Sequence, residues 1–188
     1  MDKSEEMLYF NFNKKITDIK KNSLDIDNAL IHIITTYSGK NINFQQTINS
    51  VINQTFLYWK WTIICTNDEL DFNLQDDNRI NTIKQNKDVC DIRNELINNG
   101  KYEYVFILDE NSILDETMLE CSYWTMQTNP DASWCYSNYV INNSSLGNAL
   151  FMSEDEKNAN IVSKSYLIRK NDLLQVGGYE KKLEKTNI

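Results

Sequence analysis

The residues with chemistry to offer fall at the ends of apolar runs. "YVFILDENSILDE" (104–116) carries five apolar residues into Asp109, Glu110 and Asn111. "ALIHIITTY" (29–37) ends in Thr35, Thr36 and Tyr37, and "WTIICT" (61–66) runs into Asn67 and Asp68. Arg93 lies between them in "VCDIRNELINNG" (89–100). A carboxylate accepts hydrogen bonds from a base N–H or a ribose hydroxyl, and a tyrosine face can stack on the base. An arginine fork pairs with a diphosphate, and acids at a strand end can hold a hard divalent cation. Each residue alone also has an ordinary structural role, with Tyr37 packing, Asp68 and Asp109 capping turns and Arg93 in solvent. Together, at successive strand ends, they favour a nucleotide cleft.

The elements that must position them follow from periodicity. β-Branched density predicts strands over 29–37, 61–66 and 79–83, a buried strand over 104–109, and further strands over 132–140 and 161–169. Helical spacing puts Phe44, Ile48, Val51 and Ile52 on one face of 43–54, with Asn43 and Gln46 spaced as a capping box. Val89, Ile92 and Leu96 align in 89–100, which Gly100 should stop, and Leu119, Tyr123 and Met126 align in 115–127, which Asp115 should cap. Strands apolar on both faces and separated by helices predict a mostly parallel sheet covered on both sides, an α/β fold. Ligands of such sheets sit beyond the carboxyl ends of the strands.

Composition bounds the function. A chain of 188 residues predicts one domain, here 29–188, preceded by a charged, asparagine-rich extension over 1–28. A net charge of −8 argues against a protein built to neutralise a nucleic-acid backbone. No apolar run is long enough to span a membrane, and the acidic N-terminus does not read as a signal peptide, so a cytoplasmic protein is expected. Cys65, Cys90, Cys121 and Cys135 lack metal-ligand spacing and read as reduced core thiols. His32, the only histidine, sits within an apolar run and reads as a packed strand residue.

Beyond these readings, the chain resembles a family 2 glycosyltransferase of the GT-A fold over about residues 29–183. "IHIITTYSGKNINFQQTINSVINQTFLYWKWTIICTNDE" is similar to that family's opening, and "IRNELI" to its Ala-Arg-Asn helix. "YVFILDENSILDETMLE" resembles the segment carrying its Asp-x-Asp motif, and "LIRKNDLLQVGGYEKKL" its acceptor-side turn. The fold implied is Rossmann-like. The activity implied is inverting transfer of a sugar from a nucleotide sugar, most often UDP-linked, to the hydroxyl of a glycan, lipid or protein acceptor. Thr35 and Tyr37 would hold the nucleobase, Tyr37 by stacking, and Asp68 would hydrogen-bond it beside Asn67. Arg93 would contact base or diphosphate. Asp109 would take the ribose or a divalent cation, Mn²⁺ or Mg²⁺, with Asn111 at the place of the family's metal-ligating aspartate. Gly177, Gly178, Tyr179 and Glu180 would face the acceptor.

Two departures bear on activity. Asn111 can coordinate the cation but brings no charge, so weaker metal binding is expected. Glu110 could help only by rotating in. The family's catalytic carboxylate lies beyond the "GGFDE" turn, about where this sequence stops, and Glu184 in "KKLEK" reads as a solvated surface residue. The catalytic base is therefore unassigned, and the domain is expected to be incomplete at its C-terminus. Two alternatives remain open. One is a non-catalytic nucleotide-sugar or carbohydrate binding module with a degenerate site. The other, a nucleotidyltransferase, calls for a glycine-rich phosphate loop, and "TTYSGKN" offers only Gly39.

Overall fold

The computed structural model describes residues 29–39, 43–67, 72–74, 77–137 and 165–181. The expected extension over 1–28 lies outside them. The described strands are β1 (Ile31–Tyr37), β2 (Trp59–Cys65), β3 (Ile80–Lys84), β4 (Tyr104–Ile107), β5 (Trp134–Tyr136) and β6 (Tyr166–Arg169). The helices are α1 (Phe44–Ile52), α2 (Val89–Asn99), α3 (Met118–Thr128) and α4 (Lys170–Gln175). One sheet runs in the order β3-β2-β1-β4-β6-β5. The pairs among β1 to β4 are parallel, while β6 is antiparallel to both its neighbours. The fold is the expected mostly parallel α/β sheet.

Alternation along the central strands builds two cores. Ile31, Ile33 and Tyr37 join Trp59, Trp61, Ile63, Tyr104 and Phe106 against α1 and α3. The intervening residues Ile34, Ile64, Val105 and Ile107 pack against α2 and α4. Each such side chain removed from water contributes about 1.5–3 kcal/mol, which is why the sheet needs a helical layer on each face. The expected apolar faces recur in α1 and α3, with Thr47, Met118 and Ser122 buried as well. In α2 the burial moves to Cys90, Ile92 and Ile97, leaving Val89 and Leu96 half-buried at its margins. The short α4 was not anticipated.

Helix ends depart from expectation in instructive ways. Asn43 makes no side-chain cap, so the capping box is not formed; the Gln46 N–H instead donates to the Asn43 carbonyl at 2.8 Å. Asp115 does not cap α3. Its Oδ1 accepts from the Thr117 N–H at 3.0 Å and hydroxyl at 2.7 Å, forming the turn before the helix. Gly100 ends α2 at φ −78°, without a left-handed turn. Glycine is needed there because a Cβ would sit 1.8 Å from the Tyr102 ring. Among the cysteines, Cys65 and Cys90 are buried and Cys135 is half-buried. Cys121 is exposed on α3 and is no core thiol.

His32 packs as expected. Its Nε2 pairs with the Thr62 hydroxyl at 2.8 Å, and its ring meets Tyr102 edge-on at 4.5 Å. Burial, then the charge of Lys60, lowers its pKa from 6.5 to about 4. The unfolded chain therefore takes up a proton near pH 6.5 that the folded chain refuses until about pH 4, and stability falls as pH drops through that window. We expect a loss of about 2 kcal/mol between about pH 7.5 and pH 5. Urea unfolding at the two pH values measures it. The loss should vanish in His32→Gln, and an unchanged loss in that variant would assign it to other groups.

Candidate functional site

The strand order reverses between β1 and β4, since β2 and β3 lie on one side of β1 and β4 on the other. Carboxyl ends diverge at such a point and leave a crevice. Two sets of side chains meet there. On the α2 side, the Arg93 Nη2 donates to the Thr36 hydroxyl at 3.0 Å, and its guanidinium lies 5.3 Å from the Tyr179 ring centre. At the strand ends, the Glu110 carboxylate accepts from the Ser38 N–H at 2.7 Å and hydroxyl at 2.6 Å. The Thr47 hydroxyl donates to the Glu110 carbonyl at 3.1 Å, so α1 steadies the same loop.

The acidic turn is organised around Asp109. Its Oδ1 accepts from the Asn111 N–H at 2.9 Å and Nδ2 at 3.2 Å. Its own N–H donates to the Ser165 hydroxyl at 3.2 Å, and Ser165 donates on to Ser112 at 3.1 Å. Glu110 does not rotate toward this pair, because Ser38 holds it across the crevice. Asp109 and Asn111 thus stand side by side with one negative charge between them. Among the described residues no cluster of three or more His, Cys, Asp or Glu forms. Two such oxygen donors could hold a divalent cation only if other groups supplied most of its ligands.

Two expected base contacts are corrected. Thr35 and Tyr37 share the parity of Ile31 and Ile33 and turn into the core beneath α1, each 1% exposed. The Thr35 hydroxyl accepts from the Trp61 Nε1 at 3.0 Å. The Tyr37 ring is stacked on Phe44 at 4.4 Å and meets Phe72 edge-on at 5.0 Å, so it offers no face to a base. Thr36, of opposite parity, is the strand-end residue that reaches Arg93. Asn67 is exposed and packs against Gly39, whose Cβ would lie 2.5 Å from the Asn67 Nδ2. Asp68 and Glu184 lie outside the described residues.

The "VGGYE" turn is explained by helix capping. Gly178 N–H donates to the Leu173 carbonyl at 3.0 Å and Gly177 N–H to Leu174 at 3.1 Å, closing α4 in a Schellman motif. Both glycines have positive φ, +91° at Gly177 and +78° at Gly178. Asn94 then grips the following residue, accepting from the Tyr179 N–H at 2.9 Å and donating to its carbonyl at 3.0 Å. A Cβ on Gly178 would lie 2.4 Å from the Asn94 Oδ1, so the close approach itself requires glycine. Tyr179 also shares a hydrogen bond with the Tyr166 hydroxyl at 3.0 Å. Burial, then Tyr166, pushes the Tyr179 phenol well above its ordinary range and keeps it neutral. Glu180 beyond it is exposed.

"SVINQT" is likewise structural. The buried Gln54 donates to the Ser50 carbonyl at 3.0 Å and the Asp115 carbonyl at 2.6 Å, and accepts from the Leu119 N–H at 2.9 Å. It joins the end of α1 to the start of α3, directly after the acidic turn. Sequence reading missed Ser38, Asn94 and Ser165 as parts of this assembly. Only Asn94 carried a signal, its position beside Arg93.

The fold is of the GT-A type. The solved structures it resembles include residues 1–349 of S. aureus TarS with UDP, at TM-score 0.61 and 12% identity over 84% of this chain and 52% of that one. The same TarS residues with UDP-GlcNAc align at TM-score 0.56 and 12% identity, over 78% and 47%. A longer TarS chain aligns at 0.60 and 12%, over 84% and 31%. The chain thus spans about half of TarS 1–349 and about a third of the longer TarS chain. No protein-family model matches it, and no curated protein matches it in sequence. Among the described residues no helix is long and apolar enough to cross a membrane.

Proposed function

We propose that this chain is the donor-binding part of an inverting glycosyltransferase that takes a sugar from a UDP-linked donor to an acceptor hydroxyl. One observation carries the reading. Arg93, braced by Thr36 and Tyr179, and the Asp109–Asn111 pair flank the switch point of the sheet. Arg93 presents its fork to the diphosphate, Asp109 takes the ribose or the cation, and Asn111 adds an amide oxygen to the cation. Asn67 and Asp68 take the base in place of the buried Thr35 and Tyr37. A bound Mn²⁺ or Mg²⁺ would neutralise the departing diphosphate. Glu180 faces the glycan, lipid or protein acceptor. The carboxylate that receives the acceptor's proton is not assigned among the described residues, because Asp109 and Glu110 are engaged as described.

Thermal unfolding with UDP, with and without Mn²⁺, tests the donor site. At about one hundred times its dissociation constant, a ligand adds about 2.7 kcal/mol, which raises the midpoint of a domain this size by about 5–10 °C. No rise with any nucleoside diphosphate would remove the reading. The single charge of the Asp109–Asn111 pair favours a second reading, a binding module without transfer activity. A chain that binds UDP but neither transfers nor hydrolyses the donor sugar would select it. Asn111→Asp should tighten Mn²⁺-dependent UDP binding about tenfold, by the added carboxylate charge. Unchanged metal dependence in that variant would remove the cation from this turn.

A further inference from the structure

A second concave feature lies away from the switch point, where α2 leaves part of the sheet uncovered. It is a groove of about 650 Å³ beside β1, β2 and β3. His32, which lines it, precedes Thr36 by four strand residues and so lies about 13 Å back along β1 from the crevice. Ile83, Ile92, Leu96 and the Tyr102 ring give it an apolar lining. Tyr102 is fixed there by donating its hydroxyl to the Leu96 carbonyl.

Charge around the groove runs against the character of the chain. The protein has 27 acidic and 19 basic residues, yet the lining holds Lys60, Lys87 and Lys101 against a single acid, Glu95. Glu95 is paired with Lys87. Among the described residues, neither Lys60 nor Lys101 forms an ion pair. His32 adds a polar side chain only 7% exposed, and among the described residues its Nδ1 has no hydrogen-bond partner. Apolar walls, two uncompensated cations and a buried imidazole with one nitrogen unspent describe a place for a ligand with a charged end and an apolar body.

We propose that this groove binds a small organic anion, a carboxylate or phosphate on an aromatic or short aliphatic body. Lys60 and Lys101 take the charge, while Ile92, Leu96 and Tyr102 take the body. This site is independent of the donor crevice and of its assignment.

His32 is the only histidine, so its imidazole resonances report the groove alone. Phenyl phosphate added to the 188-residue chain should shift those resonances saturably. Benzyl alcohol, its neutral counterpart, should not. Lys60→Met should weaken phenyl phosphate binding about tenfold by removing one charge-assisted contact. Glu95→Gln, at a side chain 58% exposed, should strengthen it several-fold by releasing Lys87. It keeps the test open if Lys60→Met does not fold. The proposal is overturned by no saturable shift up to about 10 mM, weaker than any useful affinity. Equal response to benzyl alcohol overturns it too, as does unchanged affinity in the folded variants.

Discussion

UDP affinity is expected to fall at least about a hundredfold in Arg93→Ala, the loss of a bidentate charge-assisted contact to a diphosphate. The size of the effect follows from preorganisation. Thr36 holds one end of the guanidinium at 3.0 Å and Tyr179 lies against it at 5.3 Å, so little freedom remains to be lost when a ligand arrives. Arg93→Lys restores charge without the fork and should recover only part of the affinity. Titration calorimetry of both variants decides, alongside urea unfolding to show that each is folded. A folded Arg93→Ala chain that binds UDP as the parent does would move the donor site elsewhere.

Arg169→Ala should cost about 4 kcal/mol of stability, since several charge-assisted hydrogen bonds vanish together. Its Nε donates to the Ala132 carbonyl at 2.8 Å, Nη1 to the Tyr104 hydroxyl at 2.9 Å, and Nη2 to the Met126 carbonyl at 2.5 Å and the Asn129 carbonyl at 3.1 Å. Two of these acceptors are at the carboxyl end of α3, where a cation also answers the helix dipole. Water recovers some of the loss at the exposed Asn129 carbonyl, which keeps the total below the sum of the separate bonds. The midpoint should drop by about 10 °C. In urea the transition should move at constant slope. A loss below about 1 kcal/mol would mean that α3 and β6 are held by packing alone.

The central strands β1, β2 and β4 were legible because their apolar runs are buried on both faces, and each falls within two residues of its expected bounds. Parity was not legible. Nothing in "IHIITTY" says which of Thr35 and Thr36 turns outward, and a one-residue error exchanges a core residue for a site residue. The choice falls to Phe44 and Phe72, which claim the Tyr37 ring from across the chain. The caps failed for a related reason. Asn43, Gln46 and Asp115 have the right types at the right spacing, but the Gln46 N–H goes to the Asn43 carbonyl and the Asp115 carboxylate closes the turn before its helix. Glu110 read as a weak helper for a cation; its partner Ser38 is 72 residues away and invisible in the local pattern. "SVINQT" and "VGGYE" were recognisable as strings, whereas their physical meaning, an inter-helix clasp and a helix stop gripped by Asn94, appears only in three dimensions.

The placement of β6 has a consequence for the order in which the molecule can be built. β1 to β4 complete one another with residues up to 107. Among the described strands β5 pairs only with β6, and β6 lies between β4 and β5 although it follows both in sequence. Until residues 166–169 leave the ribosome, no other described strand covers that edge of β4 or pairs with Trp134–Tyr136. Such an interval exposes hydrogen-bonding groups to other chains. Among the described strands the one reversed strand is thus the last rivet of this sheet, and the time before it is set is when a nascent chain is most vulnerable to pairing with its neighbours.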